Sequence, residues 1–387
     1  MQRNILWLAS WYPNKLKPFD GDFIQRHARA VSLFQKITVI HIKKDEAGIV
    51  TKNILETVSS SGNLTEVIIF YHSLRTGYKL LDRLASSLKY TAVYRTFLKK
   101  YFKQEGAPDL VHAHVAMKAG LQALYLKKRF KISYIITEHW SGYYQKSEEN
   151  VISRGWWFTY FSRRVLKNAK LILPVADYLG KAIATFETVH FEVIPNVVDT
   201  SSFYYEEKPI KKFRFLHISS MIKLKNPEGI LRAAKLLYSQ GSEFELLMIG
   251  SKDWQLMTLA KELGLLNTVV SFKDEMPYEQ VASEIKLGSA FVLFSRYESL
   301  PCVILESLCC GVPVISSNVG GIKEVVNDLN GLLVQEGEEA QLKNAMKKMM
   351  NEYEKFDRGK IAQSAAAKFG YEVVGKKIVD IYDKLVT

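Results

Sequence analysis

Short apolar runs alternate with longer helix-like segments along nearly the whole chain. Many of these runs are apolar throughout rather than at every second position, which is typical of strands buried on both faces of a parallel sheet. The segments between them have the length and periodicity of crossover helices. We predict strands at residues 4–9, 37–42, 66–71, 110–113, 133–137, 171–175, 191–194, 213–219, 244–249, 269–272, 290–294, 312–316 and 331–334.

The alternation is interrupted once, at residues 199–212. This stretch is polar and contains Pro209, which is typical of a connection between domains. We therefore predict two doubly wound α/β domains, 1–198 and 199–370, with a cleft between them, and 387 residues are enough for two such cores. Residues 371–387 are apolar on one face and are predicted to form a helix that packs back on the first domain.

Composition excludes several classes of protein. No apolar run approaches the roughly 20 residues that span a bilayer, and the run at 5–9 is too short for the core of a secretory signal. We therefore expect a cytoplasmic protein. The three cysteines cannot cross-link two domains and lack metal-ligand spacing. The formal charge of +13 favours a phosphorylated ligand or anionic lipid as partner, unless the lysines simply solvate the surface.

Two glutamates, Glu298 and Glu306, stand at the end of one predicted strand. The strand ends near Ser295, so Glu298 lies in the following loop, and Pro301 stands early in a helix that carries Glu306 about one turn in. Ligands of parallel sheets bind at the carboxyl ends of the strands, and a carboxylate can accept hydrogen bonds from the vicinal hydroxyls of a sugar. Alternatively, Glu298 caps the helix and Glu306 is a surface residue, since spacing alone gives many false matches.

Three other loops at the same predicted edge carry groups that bind anions. Gly320 and Gly321 follow the next strand and are predicted to open another helix, where backbone N–H groups can approach an anion. Lys223 and Lys225 follow the first strand of the second domain, and Gly250 follows its second strand. Cations, N–H groups and carboxylates together predict a site for a sugar joined to a nucleoside diphosphate.

Four motifs carry a family resemblance that covers essentially the whole chain. They are Glu298-x7-Glu306, Gly311-Val-Pro-Val-Ile, Gly320-Gly321, and Ile194-Pro-Asn-Val-Val-Asp199 with Phe203. This set resembles the retaining glycosyltransferases of the GT-B fold, specifically glycosyltransferase family 4. The resemblance implies two Rossmann-like domains, the first for an acceptor and the second for a nucleotide-sugar. It also implies a reaction without metal or cofactor, in which the nucleotide-sugar is a co-substrate.

The resemblance further implies roles for the matching residues. Glu306 would hold the ribose hydroxyls, Glu298 would lie near the donor sugar and act in catalysis, and Lys225 would bind the diphosphate. The family usually has an arginine about five residues before this lysine, but this chain has Ser220 there. Lys223 is the candidate substitute, although an ammonium is a point charge and not a planar fork. The remaining donor contacts expected are Gly21, Gly250, Ser299, Leu300, Gly320 and Gly321.

The first domain is expected to hold the acceptor. Gly21 precedes its first helix and resembles the glycine that lets the family's backbone approach the donor phosphate. Asp20 or Asp22 is expected to cap that helix. His139 follows another predicted strand, in Thr-Glu-His-Trp, and is predicted to contact the reacting sugar or the acceptor.

His112 and His114 form a His-x-His pair at the end of a predicted strand. Such a pair can indicate a metal site, but no third ligand has matching spacing, and the family that the chain resembles needs no metal. We predict that His112 is a satisfied structural histidine. His114 is a weaker candidate than His139 for contact with the substrates.

Residues 83–103 carry basic side chains and no acid, interleaved with leucines and aromatic residues. This pattern predicts an amphipathic basic helix. The helix either buries its apolar stripe in the first domain or contacts anionic lipid at the inner face of the plasma membrane, and both hold if only the basic rim meets the membrane. Nucleic acid is not an expected partner, because no strip of aromatic residues suited to base stacking is visible.

These expectations combine into one predicted reaction. A sugar passes from a UDP- or GDP-linked donor to a hydroxyl of a sugar or lipid-linked acceptor, with retained anomeric configuration, in the assembly of cell-surface polysaccharide or glycolipid. Two alternatives remain. A nucleotide-sugar 2-epimerase would share the fold but needs acid–base groups for elimination, and a non-catalytic protein of this fold would bind membrane only.

Overall fold

The computed structural model describes residues 3–46, 48, 50–73, 76–209 and 212–386, so that residues 210, 211 and 387 of the predicted linker and last helix lie outside it. The strands are β1 (Ile5–Ala9), β2 (Ile37–Lys44), β3 (Ile54–Ser61), β4 (Leu64–Tyr71), β5 (Leu110–His114), β6 (Tyr134–Glu138), β7 (Ile172–Pro174), β8 (Arg214–Ser219), β9 (Glu245–Gly250), β10 (Val270–Lys273), β11 (Ala290–Leu293), β12 (Val314–Ser317) and β13 (Gly331–Val334).

The helices alternate with the strands. They are α1 (Asp22–Ser32), α2 (Lys79–Glu105), α3 (Ala119–Phe130), α4 (Trp156–Asn168), α5 (Asp177–Phe186), α6 (Pro227–Tyr238), α7 (Trp254–Glu262), α8 (Tyr278–Lys286), α9 (Cys302–Cys309), α10 (Glu339–Asn351), α11 (Arg358–Phe369) and α12 (Tyr371–Leu385). Short 3-10 turns lie at Ser141–Tyr143, Lys223–Lys225, Ile322–Glu324 and Tyr353–Lys355.

The chain divides into two compact units, residues 1–195 with 371–387, and residues 196–370. The polar stretch predicted as a linker from residue 199 begins inside the second unit. Its Phe203 is fully buried, and the Phe203 ring lies 4.5 Å from that of Tyr278. Although the stretch is polar overall, its Phe203 side chain packs in the core of the second unit and holds the start of that unit in place.

The first unit contains a sheet in the order β3-β4-β2-β1-β5-β6-β7. All neighbours are parallel except β3, which pairs antiparallel with β4 and was not predicted. The β3 strand is exposed along most of its length, so it lacks the apolar run that marks the other strands. The strand predicted at 191–194 is wrong, because only an isolated bridge joins Phe191 to Ile172.

The last helix, α12, packs on α1 within the first unit. A Cβ atom on Gly375 would lie 2.2 Å from the carbonyl oxygen of Ala30, so glycine is what allows the two helices to approach closely. The buried Trp7 indole on β1 donates a hydrogen bond to the Tyr382 hydroxyl over 3.0 Å. The end of the chain thus completes the core of the unit in which the chain begins.

The predicted basic segment lies within α2. Its apolar stripe is buried only in the second half of the helix, at Val93, Tyr94, Phe97, Leu98 and Tyr101. Packing against the core of the unit therefore explains that half, as one of the two interpretations predicted. No helix in the described ranges combines the length and apolarity needed to cross a bilayer.

The second unit contains a fully parallel sheet in the order β10-β9-β8-β11-β12-β13. Its inner strands β9, β11 and β12 are almost fully buried, and residues such as Leu246, Met248 and Val292 face apolar side chains of the surrounding helices. Helices cover both faces of such a sheet because each parallel pair needs a crossover connection. The strand order reverses between β8 and β11, and that position organises the candidate site.

Candidate functional site

The loops that follow β8 and β11 meet where the strand order of the second unit reverses. At such a reversal the two connections leave to opposite faces of the sheet, and the crevice at its carboxyl edge is where open α/β sheets bind ligands. A backbone hydrogen bond of 2.9 Å, from the Arg296 N–H to the Leu224 carbonyl, joins the two loops directly. The loops carry Lys225 and Glu298, which the fold therefore places side by side.

Glu298 and Lys225 form an ion pair. The Lys225 Nζ lies 2.5 Å from Glu298 Oε1, and the Ser295 hydroxyl donates to the same oxygen over 2.7 Å. Glu298 is only 8% exposed, so its charge depends on these two partners. A capping role for Glu298 is excluded, because α9 begins after Pro301 and has no side-chain cap.

The loop after β12 packs against the loop that carries Glu298. Gly320 has φ +54°, and a Cβ atom there would lie 1.7 Å from the Glu298 carbonyl oxygen, so only glycine fits. The Gly321 N–H donates to the Ser299 carbonyl over 2.9 Å. Of the two amides predicted to approach a phosphate, that of Gly321 thus holds the neighbouring loop, and that of Gly320 has no acceptor among the described residues. The predicted helix after it is one 3-10 turn, Ile322–Glu324.

Glu306 lies on α9, in the position that the spacing predicts. It is 4% exposed, which excludes a surface role. The Tyr278 hydroxyl is its neighbour, 3.4 Å from Oε1. Gly311, with φ +69°, follows the end of α9, and a Cβ atom there would lie 2.5 Å from the Arg358 carbonyl oxygen. The two glutamates are thus buried, on adjoining segments of one strand–helix unit.

Ser299 and Leu300 connect the two glutamates and precede the first turn of α9. Within the described ranges, neither backbone N–H has an acceptor, and the buried Ser299 hydroxyl has no hydrogen-bond partner. The Leu300 carbonyl accepts a hydrogen bond of 2.6 Å from Asn196 Nδ2, which holds the segment in place. Unused N–H donors at a helix N-terminus can bind an anion.

Lys223 shares the 3-10 turn of Lys225 but not its surroundings. Lys223 is exposed, and no described residue forms a polar contact with its ammonium group. Ser220, in the position where the family usually has an arginine, is also exposed. The structure therefore brings Lys225 to Glu298 and leaves Lys223 as a solvated charge.

Gly250 lies at a cavity beyond the carboxyl ends of β9 and β10. A Cβ atom on Gly250 would lie 1.8 Å from the Ser219 carbonyl oxygen, so the loops after β8 and β9 approach each other closely only because the residue is glycine. The cavity is lined by Met221, Gly250, Ser251, Lys252, Asp253, Leu256, Met257, Phe272, Lys273 and Asp274. It lies at the same edge of the sheet as Lys225 and Glu298, but neither residue lines it.

His139 follows β6 at the carboxyl edge of the first unit, where Glu138 fixes its backbone. The buried Glu138 carboxylate accepts N–H hydrogen bonds from Ala116, His139 and Trp140, at 2.9, 3.0 and 2.9 Å. Burial raises the pKa of Glu138 to about 7 in spite of these bonds. The His139 ring packs 4.5 Å from the ring of Phe23.

His112 is a satisfied structural histidine, as predicted. Its Nδ1 lies 2.6 Å from the Tyr382 hydroxyl and its Nε2 lies 2.7 Å from Thr137 Oγ1. His114 is equally buried, but neither ring nitrogen has a hydrogen-bond partner among the described residues. Within those residues, no group of three or more His, Cys, Asp or Glu side chains could hold a metal ion.

Gly21 adopts φ +73° at the start of α1, and a Cβ atom there would lie 2.5 Å from the Trp11 carbonyl carbon. The prediction that Asp20 or Asp22 caps this helix is wrong, because α1 has no side-chain cap. Asp20 instead pairs with Lys43 and Asp22 with Arg26 one turn later. Each carboxylate forms an ion pair, and such a charge-assisted hydrogen bond is stronger than one to a neutral backbone N–H.

Four residues of these sites were not predicted: Ser295, Tyr278, Asn196 and Glu138. Asn196 and Glu138 stand inside motifs that the sequence made visible, Ile-Pro-Asn-Val-Val-Asp and Thr-Glu-His-Trp. Ser295 was visible only as the end of a strand. Tyr278 had no local signal, because it reaches Glu306 from a separate helix.

Two family models match consecutive parts of the chain. The model described as "Glycosyltransferase Family 4" matches residues 59–202, and the model described as "Glycosyl transferases group 1" matches residues 202–365. The putative teichuronic acid biosynthesis glycosyltransferase TuaC of Bacillus subtilis (strain 168) is 26% identical over 86% of this chain and 85% of its own length. The O-antigen chain mannosyltransferase B of Escherichia coli is 29% identical over 42% of this chain and 47% of its own.

Solved structures share the fold over nearly the whole chain. A sucrose-phosphate synthase from Thermosynechococcus elongatus superimposes with a TM-score of 0.79 at 18% identity, covering 99% of each chain. HepE from Anabaena in complex with UDP superimposes with a TM-score of 0.75 at 15% identity, covering 99% of this chain and 100% of its own. Both share two parallel-sheet α/β domains with this chain. The chain is therefore a glycosyltransferase of the GT-B fold and belongs to glycosyltransferase family 4.

Proposed function

We propose that the chain transfers a sugar from a UDP- or GDP-linked donor to a hydroxyl of a polysaccharide or lipid-linked acceptor, with retention of anomeric configuration and without a metal ion. The observation that carries the proposal is the pair of buried glutamates at the strand reversal of the second unit, one of them paired with Lys225. Two buried carboxylates on one strand–helix unit, one of them paired with a cation, suit a ligand that combines hydroxyl groups with negative charge.

In this proposal, Glu306 binds the ribose and Glu298 binds the donor sugar. A carboxylate can accept hydrogen bonds at both of its oxygens, and the vicinal hydroxyls of a ribose supply two donors. The Tyr278 hydroxyl, 3.4 Å from Oε1 of Glu306, would help to orient that carboxylate toward the ribose. Glu298 Oε1 already has two donors, so Glu298 would meet the sugar through Oε2.

The departing diphosphate would be stabilised by Lys225 and by the N–H groups of Ser299 and Leu300 at the start of α9. Fixed donors that face developing charge lower the barrier without reorganisation. Lys223 would add an exposed charge in place of the family arginine. Gly320 and Gly21 would act by allowing close backbone approach, and Gly250 by shaping the cavity that continues toward the nucleotide base.

In the first unit, His139 would contact the reacting sugar or the acceptor. The three N–H hydrogen bonds of Glu138 would hold the backbone of His139 in one conformation. Similar proteins support the chemistry: HepE binds UDP and UDP-glucose, and TuaC is named for teichuronic acid biosynthesis. A cytoplasmic location fits a donor of this type, and we propose it together with the reaction.

A thermal-shift screen against UDP-, GDP- and ADP-sugars tests the proposal. We expect one UDP- or GDP-sugar to raise Tm, since a ligand at 100 times its Kd adds about 2.7 kcal/mol to the stability of the protein. The variant Glu306→Gln should keep its Tm without ligand within a few degrees but lose most of the shift. The absence of any shift at millimolar nucleotide-sugar would contradict the proposal.

A further inference from the structure

The first half of α2 is fixed to the first unit at its inner end, where Ser86 and Tyr90 contact the buried Tyr71. The helix has 27 residues and is therefore about 40 Å long, whereas the eight-residue strands β2 and β4 on which it packs span about 27 Å. None of residues 79–92 is buried. This half still carries a row of large exposed apolar side chains, and Leu80, at 80%, is among the most exposed in the chain. The row consists of Leu80, Leu81, Leu84 and Leu88.

The outer face of α4 carries a second apolar surface. Trp156, Trp157, Tyr160 and Phe161 are all exposed, and their i, i+4 spacing places them on one side of the helix. The two indoles stack with ring centroids 3.7 Å apart, and Trp157 stacks on Phe161 at 6.1 Å. The opposite side, at Ser162, Val165 and Leu166, is the one that packs on the unit. The aromatic face therefore points away from the core of the unit and is exposed to solvent.

Both helices begin at the same edge of the same sheet. The connections β4-α2-β5, β5-α3-β6 and β6-α4-β7 cross the sheet in one direction, so right-handed crossovers place α2, α3 and α4 on one face, with α3 between the other two. Each helix starts beyond the carboxyl end of its preceding strand. The leucine row and the aromatic face thus lie at the same end of the unit, on the side where His139 follows β6.

The charges around these two surfaces are mainly positive. Arg163, Arg164 and Lys167 follow the aromatic residues on α4, which carries no acid. Of these, Arg163 lies 3.4 Å from Glu187, and Arg164 donates to the Tyr160 hydroxyl. The segment before α4 carries Arg154, which pairs with Glu149, and the exposed Glu148. Lys79, Arg83 and Lys89 flank the leucine row of α2, together with Asp82.

We propose that the leucine row of α2 and the aromatic face of α4, on either side of α3, are two anchor points for one bilayer that contains anionic lipid. Leucine and tryptophan side chains next to arginine and lysine match the boundary between acyl chains and anionic headgroups. A second copy of the chain fits less well, because the same basic flanks would face each other. A sugar polymer could stack on the two indoles, but its hydroxyl groups would form no favourable contacts with the four leucines of α2.

Vesicle sedimentation with the full chain tests these anchor points independently of the transfer reaction. One set of vesicles contains phosphatidylcholine alone, and the other adds phosphatidylglycerol. We expect binding to the anionic vesicles to be at least about tenfold stronger than to the neutral vesicles. Added salt should weaken this binding but not abolish it, because the apolar contacts are not screened.

Two double variants and two matched controls locate the anchor points. Trp156→Ser/Trp157→Ser and Leu80→Ser/Leu84→Ser should each weaken vesicle binding about tenfold or more, since each removes two apolar anchors. The controls Trp254→Ser and Leu329→Ser lie in the second unit. Trp254 has the same exposed fraction as Trp156, 66%, and Leu329 is 81% exposed where Leu80 is 80% exposed. Each control should change vesicle binding less than about twofold.

The variants should keep the Tm of the original chain, because the substituted side chains have no core contacts. Three results would overturn the proposal: no binding of the unmodified chain to anionic vesicles at low salt, unchanged binding by both double variants, or conversion of a dimer to a monomer by Trp156→Ser/Trp157→Ser. The last result would assign the aromatic face to a second copy of the chain.

Discussion

Lys225 serves two anions in the proposed site, and that double role sets its energetics. Its ammonium group offsets the charge of the buried Glu298, and the bound diphosphate would compete for the same group. Removing one partner of a buried ion pair leaves an uncompensated charge, which costs more than the pair itself contributes. Lys223 has neither constraint, because water already solvates and screens it.

Replacement of each lysine by methionine separates these roles. We expect Lys225→Met to lower kcat/KM by about 100-fold, which corresponds to about 2.7 kcal/mol of transition-state stabilisation. The variant should also lower the Tm, because Glu298 remains buried without its cation. Lys223→Met, the same change two residues earlier, should raise the Kd for the nucleotide-sugar less than about tenfold. A larger loss with Lys223→Met would assign the missing arginine's role to Lys223.

The loops after β8, β11 and β12 determine how Lys225 and Glu298 are placed, and Gly320 lies where two of these loops approach each other closely. Alanine at a left-handed position costs about 1–2 kcal/mol from backbone strain alone. At Gly320 the added Cβ would also collide with the Glu298 carbonyl oxygen at 1.7 Å, so the loop that carries Glu298 has to move. The cost of backbone strain and the cost of displacing the Glu298 loop can be measured separately by making the same substitution at a second glycine with positive φ and free space around it.

Gly337 provides the matched control, since it has φ +78° but no described atom lies within 4 Å of the position that a Cβ would take. We expect Gly337→Ala to reduce the free energy of unfolding by about 1 kcal/mol and Gly320→Ala by about 3 kcal/mol or more. Only Gly320→Ala should also abolish the Tm shift caused by the nucleotide-sugar. Urea unfolding and the thermal-shift assay measure both effects, and equal losses for the two variants would disprove the loop contact.

Elements buried on both faces were predictable from the sequence, and elements defined by tertiary contacts were not. The strands β1, β2, β8, β9, β11 and β12 are buried over much of their length and followed from apolar runs. β3 has an exposed, polar sequence that becomes a strand only by pairing with β4. Likewise, the spacing predicted the positions of both glutamates. The Glu298–Lys225 ion pair was not predictable, because it forms only when β8 and β11 become neighbours in the sheet.

Buried histidines should make the first unit lose more stability in acid than the second unit. Burial lowers the pKa of His27, His41 and His217 to about 4, and it lowers the pKa of His112 and His114 well below the ordinary value. The unfolded chain binds these protons near pH 6.5, so the stability is present above pH 6.5 and is lost as the pH falls toward 4. Of these five histidines, only His217 lies in the second unit.

The pKa of Glu138 acts in the opposite direction on the first unit. Because it is raised to about 7, its protonation stabilises the fold as the pH falls from 7 toward 4.5. Four histidines in that unit outweigh this one carboxyl group. From pH 7 to pH 5, we expect the free energy of unfolding to fall by about 3–5 kcal/mol in the first unit and by about 1–2 kcal/mol in the second. Native-state hydrogen exchange of β1 and β5, compared with β8 and β9, measures the two losses separately once intrinsic exchange rates are corrected for pH. Equal losses in the two units, or a first unit that is more stable at pH 5, would show that the buried histidines do not govern acid unfolding.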